Sequence, residues 1–136
     1  MANAAKYKDI GGWTDQPFTV VCEYDFANDT GAQATYSLGV FKHKTLVRKG
    51  LVFVETACGS AGSATVAVGT SVADADAFMD ASDGAVANLI DDAVIATATT
   101  SDNLVVAADE TLDLVIATAD LNAGKIKVVL ECLKVA

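Results

Sequence analysis

Between Leu51 and Gly124 the chain carries no lysine and no arginine. The same stretch carries Glu55, Asp74, Asp76, Asp80, Asp83, Asp91, Asp92, Asp102, Asp109, Glu110, Asp113 and Asp120. A surface made from that segment repels phosphates, which argues against nucleic acid as a partner. No uncharged apolar run reaches the roughly 18 residues that a membrane-crossing helix needs, so no membrane span is expected. The opening MANAAKYKDIGG lacks the apolar core of a secretory leader. Histidine occurs once, as His43 between Lys42 and Lys44, which leaves nucleophilic triads without a well-placed base. The cysteines are three, Cys22, Cys58 and Cys132, and form neither a CxxC pair nor a closed disulfide framework. Cys22 and Cys132 fall on the apolar phase of strand patterns, so the expectation is buried thiols in a reducing cytosol. The same scarcity disfavours a zinc site. No GxxxxGK[ST] loop is present to hold a phosphate.

The remaining composition favours strands. Of 136 residues, 52% are hydrophobic, enough for one domain with a core. Valine and threonine are frequent, and both suit a pleated, half-buried surface. Straight-chain helix formers are scarce. FTVVCEYDF (18–26) alternates with a period of two, with Phe18, Val20, Cys22, Tyr24 and Phe26 on one face. Asn28-Asp29-Thr30-Gly31 supplies turn chemistry. YSLGVFK follows, with Tyr36, Leu38 and Val40 in phase. KTLVRKGLVFVETA reads as one long strand or two around Gly50, and SATVAVG places Val66 and Val68 inward. Further strands are expected at AVIATATT, NLVVAA, TLDLVIAT and KIKVVLECLKV, with Asn122-Ala123-Gly124 as the turn before the last. About eight short strands and one short helical segment indicate an all-β protein, an antiparallel sandwich of jelly-roll or immunoglobulin-like type, with a small barrel also compatible. Residues 1–16 read as an N-terminal arm and 17–136 as the sandwich domain.

The segment ADADAFMDASDGAVANLI (73–90) breaks the strand pattern. Ser71 or Asp74 is positioned to cap a short helix carrying Phe78 and Met79 and ending near Gly84. An EF-hand loop starting at Asp74 would need glycine sixth and glutamate twelfth, and finds Met79 and Ala85. A looser calcium site near Asp74–Asp80 is the minority reading; solvated acids near the start of a helix are the main one. Asp91-Asp92 and Asp109-Glu110 are adjacent, but successive strand residues point to opposite faces and do not converge. The sequence thus offers no catalytic residues, no metal ligands and no cofactor site, and the expectation is a protein that is not an enzyme. One stretch stands apart in charge: FKHKTLVRKG places Lys42, His43, Lys44, Arg48 and Lys49 together in an acidic chain. It reads either as a solvated turn or as a basic hairpin that docks on an acidic protein surface. Tyr7, Ile10 and Trp13 of the arm are apolar enough to dock as well.

VCEYDFANDTGA, GLVFVETACGSAGSATVAVGTSVADADAFMD and LNAGKIKVVLECLKVA together resemble the decoration, or cement, proteins of tailed-bacteriophage heads. The pieces that carry the resemblance are Ala64–Thr70, Asp74–Asp80 and Ala123–Glu131. The likeness spans most of residues 18–135 and leaves out the arm. It implies a structural virion protein, made in the host cytoplasm, that binds the outer surface of the major capsid protein lattice and stabilises it. It also implies a small homo-oligomer, with a trimer ahead of a dimer. On this reading Tyr7, Ile10, Trp13, Lys42, His43, Lys44, Arg48 and Lys49 touch the capsid. The alternative is a head-fibre or tail-associated virion protein whose sandwich binds carbohydrate through exposed Trp13 or Tyr36.

Overall fold

Strand pairing sorts the chain into two sheets. The computed structural model describes residues 8–10, 17–72, 74–96 and 104–135. In chain order the strands are β1 (Lys8–Ile10), β2 (Pro17–Asp25), β3 (Ala34–Phe41), β4 (Thr45–Ser60), β5 (Thr65–Thr70), β6 (Val94–Ala96), β7 (Leu104–Val106), β8 (Glu110–Ala117) and β9 (Leu121–Lys134), with one α-helical turn, α1 (Phe26–Asp29), after β2. One sheet has the order β1-β3-β8-β5 and the other β2-β9-β4-β6. β7 also pairs with β4, along the same edge as β6 and end to end with it. Those two therefore share one place, which makes eight strand positions, as the pattern in the sequence implies. All pairs are antiparallel except β1 on β3.

The pairing is nested: β2 with β9, β3 with β8, β4 with β6 and β7, and β5 with the segment that follows it. A long hairpin wrapped over two sheets gives this order, which is the jelly roll. The apolar phases meet between the sheets. Cys22, Tyr24, Val52, Val54, Ile126, Val128, Leu130 and Cys132 face Leu38, Phe41, Val66, Val68, Leu112 and Leu114, all buried. A bulge at Leu38 resets the phase of β3, so Phe41 enters the core where the sequence pattern points Val40 inward. The three cysteines are free and buried. Burial pushes the Cys58 thiol up to about 11 and the Cys132 thiol up to about 12, so both stay protonated and unreactive at neutral pH.

Three local expectations are corrected. The helical turn is at Phe26–Asp29, where Asp25 Oδ1 caps the amide of Ala27; residues 74–84 form turns instead. The backbone there bonds to the sheet edge rather than to itself: Phe78 and Met79 donate to Val68 O, and Val68 N donates to Met79 O. Asp74 and Asp80 each accept an amide from their own turn, Asp76 N and Asp83 N, which stabilises turns at the expense of a helix. Asn122-Ala123-Gly124 lies within β9, with Ala123 opposite Gly59. The chain reverses instead at 118–120, where Thr118 takes φ 73° and the path crosses from one sheet to the other. The stretch 42–44 is likewise no hairpin, because β3 and β4 belong to different sheets; it is a corner at one end of the sandwich.

The segment 74–85 supplies the missing edge of the first sheet. It runs antiparallel to β5, with bridges Val68–Met79 and Thr65–Ala85. Its apolar residues Ala77, Phe78 and Met79 are fully buried, while Asp76, Ser82 and Asp83 face out. Phe78 crosses the interior to the opposite sheet and lies on Gly50 of β4, where an added Cβ would fall 2.5 Å from the ring. That contact explains the glycine in a long buried strand, a position that otherwise weakens a sheet.

Candidate functional site

The basic cluster forms where the two sheets meet at one end. Lys42, His43 and Lys44 make the β3–β4 corner, and Lys44 takes φ 60° to turn it. The corner is pinned on all sides. Thr45 Oγ1 donates to Lys42 O at 2.7 Å, Lys44 N donates to Val106 O at 2.6 Å, and Val135 N donates to Lys44 O at 2.9 Å. Asp109, from the β7–β8 connection, accepts the His43 amide at 2.8 Å and lies 3.4 Å from His43 Nδ1. These His43 contacts hold the Asp109 carboxyl below the usual carboxylate range. Lys134, at the end of β9, donates to His43 O at 2.7 Å and adds a fourth basic side chain to the corner. His43 and Lys44 are exposed. A hydrogen-bonded backbone presenting exposed basic side chains can bind an acidic protein surface.

Arg48 and Lys49 sit elsewhere. A bulge between Val47 and Lys49 places both on the outer side of the β2-β9-β4-β6 sheet, where Arg48 lies 4.0 Å from Glu131. The five basic residues that are close in sequence thus divide between a corner and a sheet face. Tyr7 and Trp13 lie outside the described residues. Ile10 ends β1, opposite Phe41, at the same end as the corner. Tyr36, considered above as an exposed carbohydrate-binding ring, is buried. Its hydroxyl donates to Ala32 O at 2.7 Å, and its ring stands edge-on to Tyr24 at 5.5 Å. β3 turns it inward with Leu38, so it presents no stacking surface to a glycan.

Asp74, Asp76, Asp80 and Asp83 lie along the 74–85 edge of the first sheet. Among the described residues no group of three or more His, Cys, Asp or Glu side chains is placed to hold a metal ion. No helix of the described residues is long and apolar enough to cross a membrane. A hydrogen bond with Asp74 raises the Asp76 carboxyl above its ordinary 3.8. Glu55 is shifted the other way: Lys125 at 2.9 Å and Lys127 at 3.0 Å hold it below its ordinary 4.5. The signs of linkage follow. Glu55 contributes stability above its unfolded value, and that contribution is lost as pH falls through the folded one. Asp76 opposes folding once pH exceeds its raised folded value, and acidification relieves this. Asp76→Asn should therefore stabilise the protein at pH 7 and lose that advantage near pH 3, in urea unfolding at each pH. Glu55→Gln should destabilise at pH 7 and be neutral near pH 3. An Asp76→Asn effect independent of pH would contradict the carboxyl–carboxyl assignment.

No protein-family model matches the chain, and no curated protein matches it in sequence. Solved structures do match. A chain of the capsid of Ralstonia phage GP4 aligns with TM-score 0.69 at 14% identity, over 98% of this chain and 94% of that one. This protein has the fold of a phage-capsid chain. A chain of the cyanophage Pam1 capsid asymmetric unit aligns with TM-score 0.63 at 16% identity, over 90% and 87%. One from the acid-stable capsid of Helicobacter pylori bacteriophage KHP30 aligns with TM-score 0.57 at 13% identity, over 85% and 86%. At such identities the likeness lies in the path of the backbone, while side chains at the corner and on the faces are this protein's own.

Proposed function

We propose that the protein is a non-enzymatic virion component that decorates the outer surface of a phage capsid and stabilises its lattice. The observation that carries this reading is the near-complete overlap with a chain of the Ralstonia phage GP4 capsid, 98% of this chain and 94% of that one. The corner Lys42–Lys44 with Lys134 is the surface offered to the major capsid protein, and Tyr7, Ile10 and Trp13 of the N-terminal arm are further contact residues on this reading. The chain has net charge −9, so a basic corner orients it as it approaches an acidic patch. A ligand that binds only the assembled shell stabilises that shell by mass action. Contacts spread over several capsid subunits multiply the effect through avidity.

The test is co-sedimentation of the purified protein with phage heads that lack it. Saturable binding to expanded heads, with little binding to free capsid subunits, is the expected result. A folded protein that ignores heads would move the assignment to a tail or fibre.

A further inference from the structure

The outer faces of the two sheets differ in kind. On the β3-β8-β5 face the outward residues are shorter: Thr35, Ser37, Val40, Thr111, Asp113 and Val115, with Ala67. On the β2-β9-β4-β6 face they are long, and they alternate between apolar rows and charged rows. Reading down the β9–β4 pair, Leu133 is opposite Leu46, Glu131 opposite Lys49, Val129 opposite Leu51 and Lys127 opposite Phe53, with Lys125 beside Glu55. Val21 and Val94 extend the apolar rows onto β2 and β6 and are 39% and 60% exposed.

These two columns carry opposite charges at two levels and apolar pairs at two more. Where β9 carries Lys125 and Lys127, β4 carries Glu55; where β9 carries Glu131, β4 carries Arg48 and Lys49. A two-fold axis parallel to the strands and lying between them exchanges the columns and keeps the levels. A copy rotated about that axis sets its β4 over the first copy's β9. Val129 then meets the partner's Leu51, Leu133 meets the partner's Leu46, Lys49 meets the partner's Glu131 and Lys125 the partner's Glu55, while Lys127 lies over the partner's Phe53. Elsewhere an excess of acid opposes self-association, since the whole chain carries −9. Here four cations (Arg48, Lys49, Lys125, Lys127) stand with four carboxylates (Glu23, Asp25, Glu55, Glu131), and a second copy approaches without net repulsion.

From this exchange symmetry we propose that the β2-β9-β4-β6 face is the surface through which a second copy of this chain binds, as a two-fold, face-to-face dimer. Three strands of about eight residues and the three residues of β6, ~4.8 Å apart at ~3.3 Å per residue, span roughly 430 Å² per copy. That is about 860 Å² in total, the size of a weak, transient interface. The dimer is therefore reversible and dissociates on dilution. Because each sheet is twisted, the two faces diverge away from the axis, so the best-matched levels lie at the centre, around Val129 and Leu51.

Sedimentation equilibrium over a range of concentrations tests it. The full chain should move from 13.9 kDa towards twice that mass as concentration rises to about 100 µM. Glu55→Lys makes both columns positive over their charged half, and Lys125→Glu with Lys127→Glu makes that half negative. Each variant alone should remain monomeric. An equimolar mixture should regain the dimer, because opposite halves then face each other. Circular dichroism and thermal melts report whether each variant is folded. If a reversal prevents folding, Leu51→Asp decides, with Thr35→Asp on the other face as its control. A wild type that stays monomeric, a trimer, or a dimer untouched by Leu51→Asp or by both reversals would each overturn the proposal. None of these outcomes depends on capsid binding.

Discussion

Reversing the corner with Lys42→Glu and Lys44→Glu should weaken capsid decoration roughly a hundredfold while leaving the fold intact. Placing like charges in an interface costs several kcal/mol, and about 3 kcal/mol corresponds to that factor. His43 and Lys44 are exposed, and the bonds that pin the corner run through backbone atoms of residues 42–44, so the substitutions leave those bonds in place. Titrating heads with each protein and quantifying the bound copies by gel gives the affinity ratio. Arg48→Glu with Lys49→Glu serves as the comparison. These residues belong to the sheet face, so the direct loss of capsid affinity should be several times smaller. Equal losses for the two pairs would mean that the corner has no special role. Unchanged occupancy with the corner pair would remove it from the interface. Wild-type binding should also weaken with added salt, since exposed charges more than about 10 Å apart are screened at 0.1 M.

Truncating Phe78 to alanine should be among the most damaging single changes in the protein. The ring is completely buried and fills the space left by Gly50 on the far sheet. Phe→Ala in a core costs about 3–5 kcal/mol, through lost transfer energy and the cavity left behind. For a chain of this size that corresponds to a fall in Tm of roughly 10–15 °C. Ser82→Ala, four residues away on the exposed turn, should change stability by no more than about 0.5 kcal/mol. Paired melting curves for the two variants check this directly. The comparison separates two descriptions of residues 74–85. An edge strand bolted to the core by one aromatic ring predicts a large gap between the variants. A solvated acidic segment lying on the surface predicts none.

That segment shows where reading the sequence reaches its limit. Its alternation of aspartate and alanine breaks at the adjacent apolar pair Phe78-Met79, and its caps suggest a helix. What makes it an edge is Val68, whose carbonyl and amide offer hydrogen bonds that a helix of this short length cannot match. The offer exists only once β5 has been placed in its sheet. The same holds for the basic corner. Lys134 is 91 residues from His43, and Asp109 is 66 residues away, so only the folded chain brings them together. The separation of Arg48 and Lys49 from Lys42–Lys44 depends on a bulge that no residue type announces.

By itself the sequence determined the fold class. Period-two alternation in β2, β8 and β9 placed Cys22, Tyr24, Leu112, Leu114, Ile126, Val128, Leu130 and Cys132 inside, and all are buried. Alternation is a local property, fixed by the geometry of the extended chain, so it can be read residue by residue. The tertiary structure alone decided which strands are neighbours, that Phe41 rather than Val40 enters the core, and that β9 and β4 carry paired charges. Strand order and register are set by pairing between residues far apart in the chain, through burial and hydrogen bonds that exist only when both partners are in place.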